Sequence, residues 1–299
     1  MRISNGNIYL STGRFANQNI LYYDRVYYRI EALNTDYAKS RGGNSSVFKL
    51  INPNDDSEYA IKFSKYAIED DMDEGIRFER EIEALTTTTK MGCDNIIKLY
   101  FDGQKKIGNK TFPFYVMEKA DSDLRSLILN NKITLTQKIL LCHELIKGIK
   151  ELHSMEIYHR DIKPDNIFFI NRDGKNKLKI GDLGLIIYRN EDLGWLEYQK
   201  KVGPVGWLSP EVMNKVLCEG TKFEHINDCI IDTYSDIFQL GKVFWFIFKY
   251  CIPIGQVSYV DFEIKNRELF DVIIKMIQHK KNRREDLDYL DDEFMELAS

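Results

Sequence analysis

The sequence lacks several features that would place it in a specialised class of protein. Its five cysteines form no CxxC pair, and their odd number leaves one over from any full pairing, so we expect free thiols in a reducing compartment. The 42 basic residues do not outnumber the 46 acidic ones, and the net charge of −4 argues against a protein that coats nucleic acid through bulk charge. The N-terminus has no apolar stretch typical of a secretory signal. These absences together favour a cytoplasmic location.

Long uncharged apolar runs are also missing. The most apolar segment, residues 237–254, is interrupted by Lys242, Lys249 and Pro253, and it is shorter than the roughly 20 apolar residues that a membrane span requires. We therefore expect a buried core helix there and no membrane span. Hydrophobic residues make up 43% of the chain and aromatic residues 12%, which is enough for a sizeable core.

The pattern of apolar residues changes along the chain, which predicts an α+β protein with two lobes. Helical spacing in the first third is confined to one charged segment, with Ile76, Ile82 and Leu85 on one side, and apolar spacing later in the chain is mainly helical. The predicted strands are residues 22–30, 45–51, 59–63, 96–102 and 112–118, and the predicted helices are 72–86, 135–153, 237–248 and 268–278. A tether near residues 117–122 would join the lobes, and a ligand site is expected between them.

The string HRDIKPDN at residues 159–166 carries the clearest chemical signal. Asp161 and Asn166 place two oxygen-bearing side chains on one tight loop, and Asp182 follows 16 residues later in the triplet DLG. This trio suits phosphoryl transfer, in which one carboxylate orients a hydroxyl while the asparagine and the second aspartate hold magnesium. Turn-forming residues are an adequate explanation for any one of them, but not for the whole set.

These motifs resemble those of the eukaryotic-type protein kinases, in which HRDIKPDN would be the catalytic loop and DLG the metal-binding triplet. The resemblance implies the bilobal kinase fold, with a small β-rich N-lobe that has one main helix and a larger helical C-lobe. The implied division is an N-terminal extension at residues 1–28, the N-lobe at 29–119 and the C-lobe at 120–299. Within this family Asp161 and Lys163 would be catalytic, and Asn166 and Asp182 would bind the metal.

The resemblance also extends to an ion pair in the N-lobe. Lys62 ends the string YAIK, which is similar to the VAIK strand, and would neutralise the α- and β-phosphates of ATP. Its partner would be Glu81, although Glu79 is an alternative only two residues away. Helical periodicity favours Glu81 because Leu85, four residues on, would share its inward side.

The nucleotide site implied by the resemblance includes parts of several segments. Gly42 is the one glycine that remains of the glycine-rich loop, and Met117 takes the gatekeeper position. The carbonyl of Glu118 and the amide of Ala120 would bond the adenine edge. The side chains expected on the two faces of the ring are Val47, Ala60 and Phe168.

Further landmarks are structural. Glu211, in SPE, would pair with a C-terminal arginine, for which we expect Arg283, and Asp236 would brace the catalytic loop. Two departures from the family pattern are present. Leu183 replaces the phenylalanine of DFG, and Pro204 stands where a threonine usually contacts the catalytic aspartate.

The resemblance implies an ATP- and Mg²⁺-dependent protein kinase that phosphorylates serine and threonine hydroxyls of protein substrates and also itself. Lys163 is the serine/threonine hallmark. The alternatives are a pseudokinase that binds nucleotide or partners without transfer, and a kinase-like enzyme acting on a small molecule. The complete set of five functional residues argues against the first, and the activation segment with its Glu211 anchor argues against the second.

Regulation is the subject of one further hypothesis. Residues 183–208 contain no serine or threonine. In the kinases that the chain resembles, the arginine at the position of Arg160 commonly binds a phosphate group on this segment. We expect the carboxylate of Glu197 to pair permanently with Arg160 in place of a phosphate. Phosphorylated Tyr198 and simple bonding of Arg160 to loop carbonyls are the alternatives.

Overall fold

The computed structural model describes residues 1–4, 7–33, 45–70, 72–172, 174–189, 205–218, 220–223 and 226–299. The chain forms two compact units, one comprising Met1–Gly92 and Ile97–Ala120, the other Cys93–Ile96 and Asp121–Ser299. The first unit is rich in strands around one long helix, whereas helices dominate the second. The predicted α+β class is therefore confirmed.

An antiparallel sheet forms the centre of the first unit. The strands of this unit are β1 Arg2–Ser4, β2 Asn7–Tyr9, β3 Ile20–Tyr23, β4 Val26–Glu31, β5 Ser45–Ile51, β6 Glu58–Ser64, β7 Leu99–Ile107 and β8 Lys110–Glu118. Six of them form the sheet in the order β3-β4-β5-β6-β8-β7, and a separate hairpin pairs β1 with β2. The predicted strands 45–51 and 59–63 are present as β5 and β6, which pair as a hairpin around the segment NPNDDSE.

The N-terminal segment, residues 1–28, supplies β1 to β3 and the start of β4 to this unit. We predicted one strand over residues 22–30, and this was wrong. Asp24 and Arg25 have φ values of 43° and 66°, in the left-handed region, so the chain reverses there and β3 pairs with β4. A 3₁₀ helix at Gly13–Gln18 precedes the hairpin.

Helix α1, Met72–Lys90, is the long helix of the first unit. Its buried side is formed by residues such as Phe78, Glu81 and Leu85, which recur at helical spacing. Ile76, which we expected on that side, is 47% exposed. It lies two positions before Phe78, about 200° around the helix at 3.6 residues per turn, so its side chain must point outward.

The second unit combines helices with three small strand pairings. The strands are β9 Ser122–Asp123, β10 Ile157–Tyr158, β11 Ile167–Arg172, β12 Lys175–Ile180 and β13 Ile187–Tyr188. Strands β11 and β12 form a hairpin to which β9 adds, and β10 pairs with β13. The helices are α2 Leu124–Asn130, α3 Leu135–Ser154, α4 Pro210–Cys218, α5 Thr233–Lys249, α6 Tyr259–Phe262, α7 Arg267–Met276 and α8 Leu287–Ala298. The 3₁₀ turns are Pro164–Asn166, Val205–Trp207 and Lys281–Arg283.

Helix α5 is the buried core helix that the sequence predicts, because nearly every residue between Ser235 and Phe248 is buried. A Cβ atom added to Gly241 would lie 2.7 Å from both the Cβ of Met276 and the Cγ2 of Ile277. Only glycine therefore permits the end of α7 to approach α5 this closely. Within the described ranges, no helix has both the length and the apolarity needed to cross a bilayer.

Candidate functional site

Lys62 lies on β6 and forms a buried ion pair with Glu81 of α1. Its Nζ is 2.7 Å from Oε1 and 2.9 Å from Oε2 of Glu81, and the two side chains are 7% and 2% exposed. Glu79, the alternative partner, is exposed to solvent. The structure thus selects Glu81, on the side of the helix that faces the sheet.

Tyr115 joins this pair, which the sequence did not reveal. It stands directly opposite Lys62 on β8, and its hydroxyl donates a hydrogen bond of 2.8 Å to Oε1 of Glu81. The Lys62 ammonium also lies 5.7 Å from the centre of the Tyr115 ring. A tyrosine in the otherwise apolar run FPFYV was the only available signal, since a buried phenol needs a hydrogen-bond partner.

The sheet register brings other predicted nucleotide residues to one face. Val47 pairs with Lys62, and Ala60 pairs with Met117. Because paired residues and every second residue point to the same side of a sheet, these four side chains share a face. Ala60 is buried, and its side chain is the smallest of the four.

The other predicted nucleotide residues belong to other segments of the chain. The Glu118 amide donates to the Lys98 carbonyl at 3.0 Å, and Ala120 ends the first unit. Phe168 belongs to β11 of the second unit, where it pairs with Lys179 and Asp123. Gly42 lies outside the described residues.

Asp161 lies on the loop between β10 and the Pro164–Asn166 turn, with a side chain only 9% exposed. Its Oδ2 accepts hydrogen bonds from Lys163 Nζ at 2.5 Å and from Asn166 Nδ2 at 2.8 Å. No side chain or amide of the described residues donates to its Oδ1. The carboxylate is thus held through one oxygen, while the other can accept a proton from a hydroxyl group.

Asp236 of α5 fixes the backbone of this loop, as predicted. Its carboxylate accepts hydrogen bonds of 2.8 Å from the amides of His159 and Arg160, and it contacts Nε2 of His153 at 2.9 Å. Burial by itself raises the pKa of Asp236. The hydrogen bond and charge of His153 and the Arg160 amide outweigh that effect and lower it below its ordinary value.

Gln239 makes a second attachment that the sequence analysis missed. Its Nε2 donates to the Arg160 carbonyl at 2.8 Å, and its Oε1 accepts from the Ile162 amide at 2.9 Å. Gln239 follows Asp236 by three residues, so both side chains lie on one face of α5. Helical spacing from Asp236 was the signal that could have identified it.

The β11–β12 hairpin brings Asn166 and Asp182 together despite their separation in sequence. Ile167 pairs with Ile180, and the Gly181 amide donates to the Asn166 carbonyl at 3.0 Å. Asp182 follows directly and has a left-handed φ of 57°, a conformation that is uncommon outside glycine and is typical of functional sites. Leu183 is fully buried.

These two side chains offer oxygen ligands suited to magnesium. The Asn166 amide nitrogen is committed to Asp161, which leaves its Oδ1 as an acceptor, and Asp182 supplies a carboxylate. Across the described ranges, no cluster of three or more His, Cys, Asp or Glu side chains could hold a metal by itself. A pair of such ligands fits Mg²⁺ shared with substrate phosphates, which is how that ion is commonly held.

Our prediction that Glu211 pairs with Arg283 was wrong, because the partner is Arg284. Arg284 Nη1 and Nη2 lie 2.7 and 2.9 Å from the two oxygens of Glu211, and the guanidinium is fully buried. Arg283 ends the 3₁₀ turn with an exposed side chain. The turn therefore directs the second arginine inward and the first one outward.

The remaining N–H groups of Arg284 explain this choice. Nε donates to the Gln278 carbonyl, Nη1 also donates to the Tyr234 carbonyl, and Nη2 also donates to the His279 carbonyl. All five donors are thus used, and two of the acceptors lie just beyond the end of α7. The predicted partners of Arg160, Glu197 and Tyr198, and the departure at Pro204 lie outside the described residues.

Comparison with known proteins agrees with this geometry. The family model "Protein kinase domain" matches residues 40–299. The serine/threonine-protein kinase mph1 of Schizosaccharomyces pombe is 25% identical over 212 residues, which cover 69% of this chain and 29% of that protein.

Two further relatives also match most of this chain over a small part of their own length. The serine/threonine-protein kinase KIC1 of Saccharomyces cerevisiae is 30% identical over 251 residues, covering 83% of this chain and 20% of that protein. The Wee1-like protein kinase of Oryza sativa subsp. japonica is 29% identical over 205 residues, covering 69% of this chain and 34% of that protein. The matched region is thus a minor part of each relative.

Proposed function

The chain belongs to the protein kinase family, and we propose that it transfers the γ-phosphoryl group of ATP to serine and threonine hydroxyls of protein substrates and of itself. The observation that carries this proposal is the carboxylate of Asp161. One oxygen is held by Lys163 and Asn166, and the other has no donor among the described residues. Such a group can orient an attacking hydroxyl and accept its proton.

Each remaining residue has a role that follows from its chemistry. Lys62 meets the charge of the ATP phosphates, and Glu81 with Tyr115 holds the flexible lysine side chain in place. Asn166 and Asp182 would hold Mg²⁺, which when bound neutralises phosphate charge. Lys163 steadies the γ-phosphate next to the Asp161 carboxylate.

The preference for serine and threonine is supported by Lys163 and by the names of two relatives, mph1 and KIC1. A pseudokinase is disfavoured because Lys62, Glu81, Asp161 and the two metal ligands are all present. We also propose a cytoplasmic location, which is supported by five free cysteines and no disulfide among the described residues.

The test is incubation of the purified chain with labelled ATP, magnesium and peptide libraries that carry serine, threonine or tyrosine as the only acceptor. We expect transfer to serine and threonine. Asp161→Asn should lower the rate by about 10²–10⁴-fold without weakening nucleotide binding, because general-base assistance is lost. Asp182→Asn should instead weaken magnesium-dependent nucleotide binding.

Asp165→Asn is the matched control, since it makes the same chemical change in the same loop at a side chain that pairs with Arg125. It should leave transfer nearly unchanged. A near-normal rate for Asp161→Asn would contradict the assigned base. Nucleotide binding by the unaltered chain with no transfer to any acceptor would identify a pseudokinase.

A further inference from the structure

A groove of about 810 Å³ lies in the second unit, and its described lining includes neither Asp161 nor any residue assigned to nucleotide or metal binding. Its walls are the start of α4, one side of α5, the loop at residues 253–257, and the end of α7 with the turn that follows it. Apolar side chains such as Met213, Phe238 and Ile277 line it. Its volume is within the range of about 300–1,000 Å³ found for ligand sites.

The polar lining of this groove has one sign of charge. Lys242, Lys280 and Arg283 contribute positive charge, His279 adds an imidazole, and none of the described lining residues is aspartate or glutamate. Lys280 and Arg283 are exposed and form no ion pair with a described residue. A site with this composition favours a ligand that carries negative charge and apolar groups.

Acidic side chains in the same region are paired with other cations. Lys281, within the same turn, is 3.3 Å from Asp228 and 3.1 Å from Asp232, and Glu211 pairs with Arg284. None of these three carboxylates forms an ion pair with Lys242, Lys280 or Arg283. Lys242 is partly buried, and burial lowers the pKa of its ammonium group. Among the described residues, this group donates to the Gly206 carbonyl at 2.8 Å and lies 5.1 Å from the centre of the Phe238 ring.

Ser209 is a neutral polar residue of the groove lining. Its side chain is fully buried, and its Oγ has no hydrogen-bond partner among the described residues. Buried hydroxyl groups are normally paired, and leaving one unpaired costs free energy.

We propose that this groove docks an acidic segment of a protein partner that also carries apolar side chains. The cations come from two separate elements, Lys242 from α5 and Lys280 with Arg283 from the turn after α7. One carboxylate of a small amphiphile could meet only part of this charge, whereas a chain segment presents several carboxylates along its length. The apolar lining provides pockets for the side chains between them.

Fluorescence anisotropy with the full chain tests this docking without any use of kinase activity. The probe is a labelled ten-residue peptide in which glutamate and leucine alternate. The comparison peptides replace glutamate with lysine in one case and leucine with alanine in the other. We expect saturable binding of the first peptide alone, and binding should weaken as NaCl rises from about 0.05 to 0.5 M because salt screens exposed charges.

The double variant Lys280→Glu with Arg283→Glu should weaken binding at least tenfold, since like charges would then face the peptide. The matched control is Lys132→Glu with Lys147→Glu, which reverses two exposed lysines outside the groove. Equal binding of the lysine peptide, or unchanged affinity in the groove variant, would overturn the proposal. If sodium dodecanoate binds and the peptide does not, the docking proposal is also overturned, and the groove would be a site for a small amphiphile.

Discussion

Replacement of Arg284 by alanine provides a sharp test of the buried pair with Glu211. The substitution removes five hydrogen bonds and leaves a carboxylate that is 2% exposed without its cation. Breaking a buried pair from one side costs about 3–5 kcal/mol. That is a large part of the roughly 5–15 kcal/mol that stabilises a typical domain. Arg283→Ala is the matched control, for which we expect a change within about 0.5 kcal/mol, as at other exposed sites.

Urea denaturation followed by circular dichroism measures this difference. With a slope of about 3 kcal/mol per M, a loss of 3–5 kcal/mol lowers the midpoint by at least about 1 M. Arg284→Lys should also be strongly destabilised, because an ammonium group cannot reproduce the planar bidentate contact with Glu211. Equal midpoints for the two alanine variants would refute the assignment of Arg284 as the buried partner.

The effect of Arg284→Ala should also depend on pH. Burial raises the pKa of Glu211, but the hydrogen bond and charge of Arg284 more than offset this and lower it. Because the folded pKa lies below the unfolded value of roughly 4.3, the contribution of Glu211 to stability is complete above that value. It is lost as the pH falls through the folded pKa. The difference in unfolding free energy between the unaltered chain and the variant should therefore become smaller as the pH falls from 7 to acidic values. A difference that does not change with pH would argue against a charged pair.

Two other substitutions test packing and the Lys62 group. Gly241→Ala should lower the free energy of unfolding by about 1–3 kcal/mol, because the new methyl group would overlap the end of α7. The control Gly75→Ala, which adds a methyl group in open space on α1, should not destabilise the fold. Calorimetry measures both, and equal melting temperatures would contradict the close approach. Tyr115→Phe should lose about 0.5–1.5 kcal/mol with its hydrogen bond to Glu81, whereas the exposed Tyr27→Phe should not. Equal urea midpoints for these two variants would argue against that hydrogen bond.

Local patterns in the sequence were sufficient for much of the fold. The β5–β6 hairpin follows from two apolar runs around a cluster of turn formers, and α5 follows from an apolar segment with helical length. The turn at Asp24 and Arg25 was missed because both residues adopt a left-handed conformation without the glycine that usually announces one. Ile76 was assigned to the wrong side of α1 because the buried side was inferred from Ile76, Ile82 and Leu85, whereas the helix buries Phe78, Glu81 and Leu85.

Residues of the candidate site were predictable where they belong to a sequence motif. Contacts that depend on how the elements pack were not predictable. The motifs identified Asp161, Asn166 and Asp182, and helical periodicity chose Glu81 over Glu79. Arg283 and Arg284 are chemically identical neighbours, so the choice between them depends on carbonyl groups whose positions only the folded chain determines. The attachment of the loop at residues 159–166 by Gln239 likewise requires α5 to pack against that loop.

The first strands of the sheet have a consequence for how this protein is divided into fragments. The family match begins at residue 40, yet β3 and β4 precede that point and contribute Leu21 and Ile30 to the core. A fragment that starts at the family boundary would lose these side chains and expose β5 as an unpaired strand edge, which invites aggregation. The family match therefore covers a shorter segment than the one that packs together in the first unit.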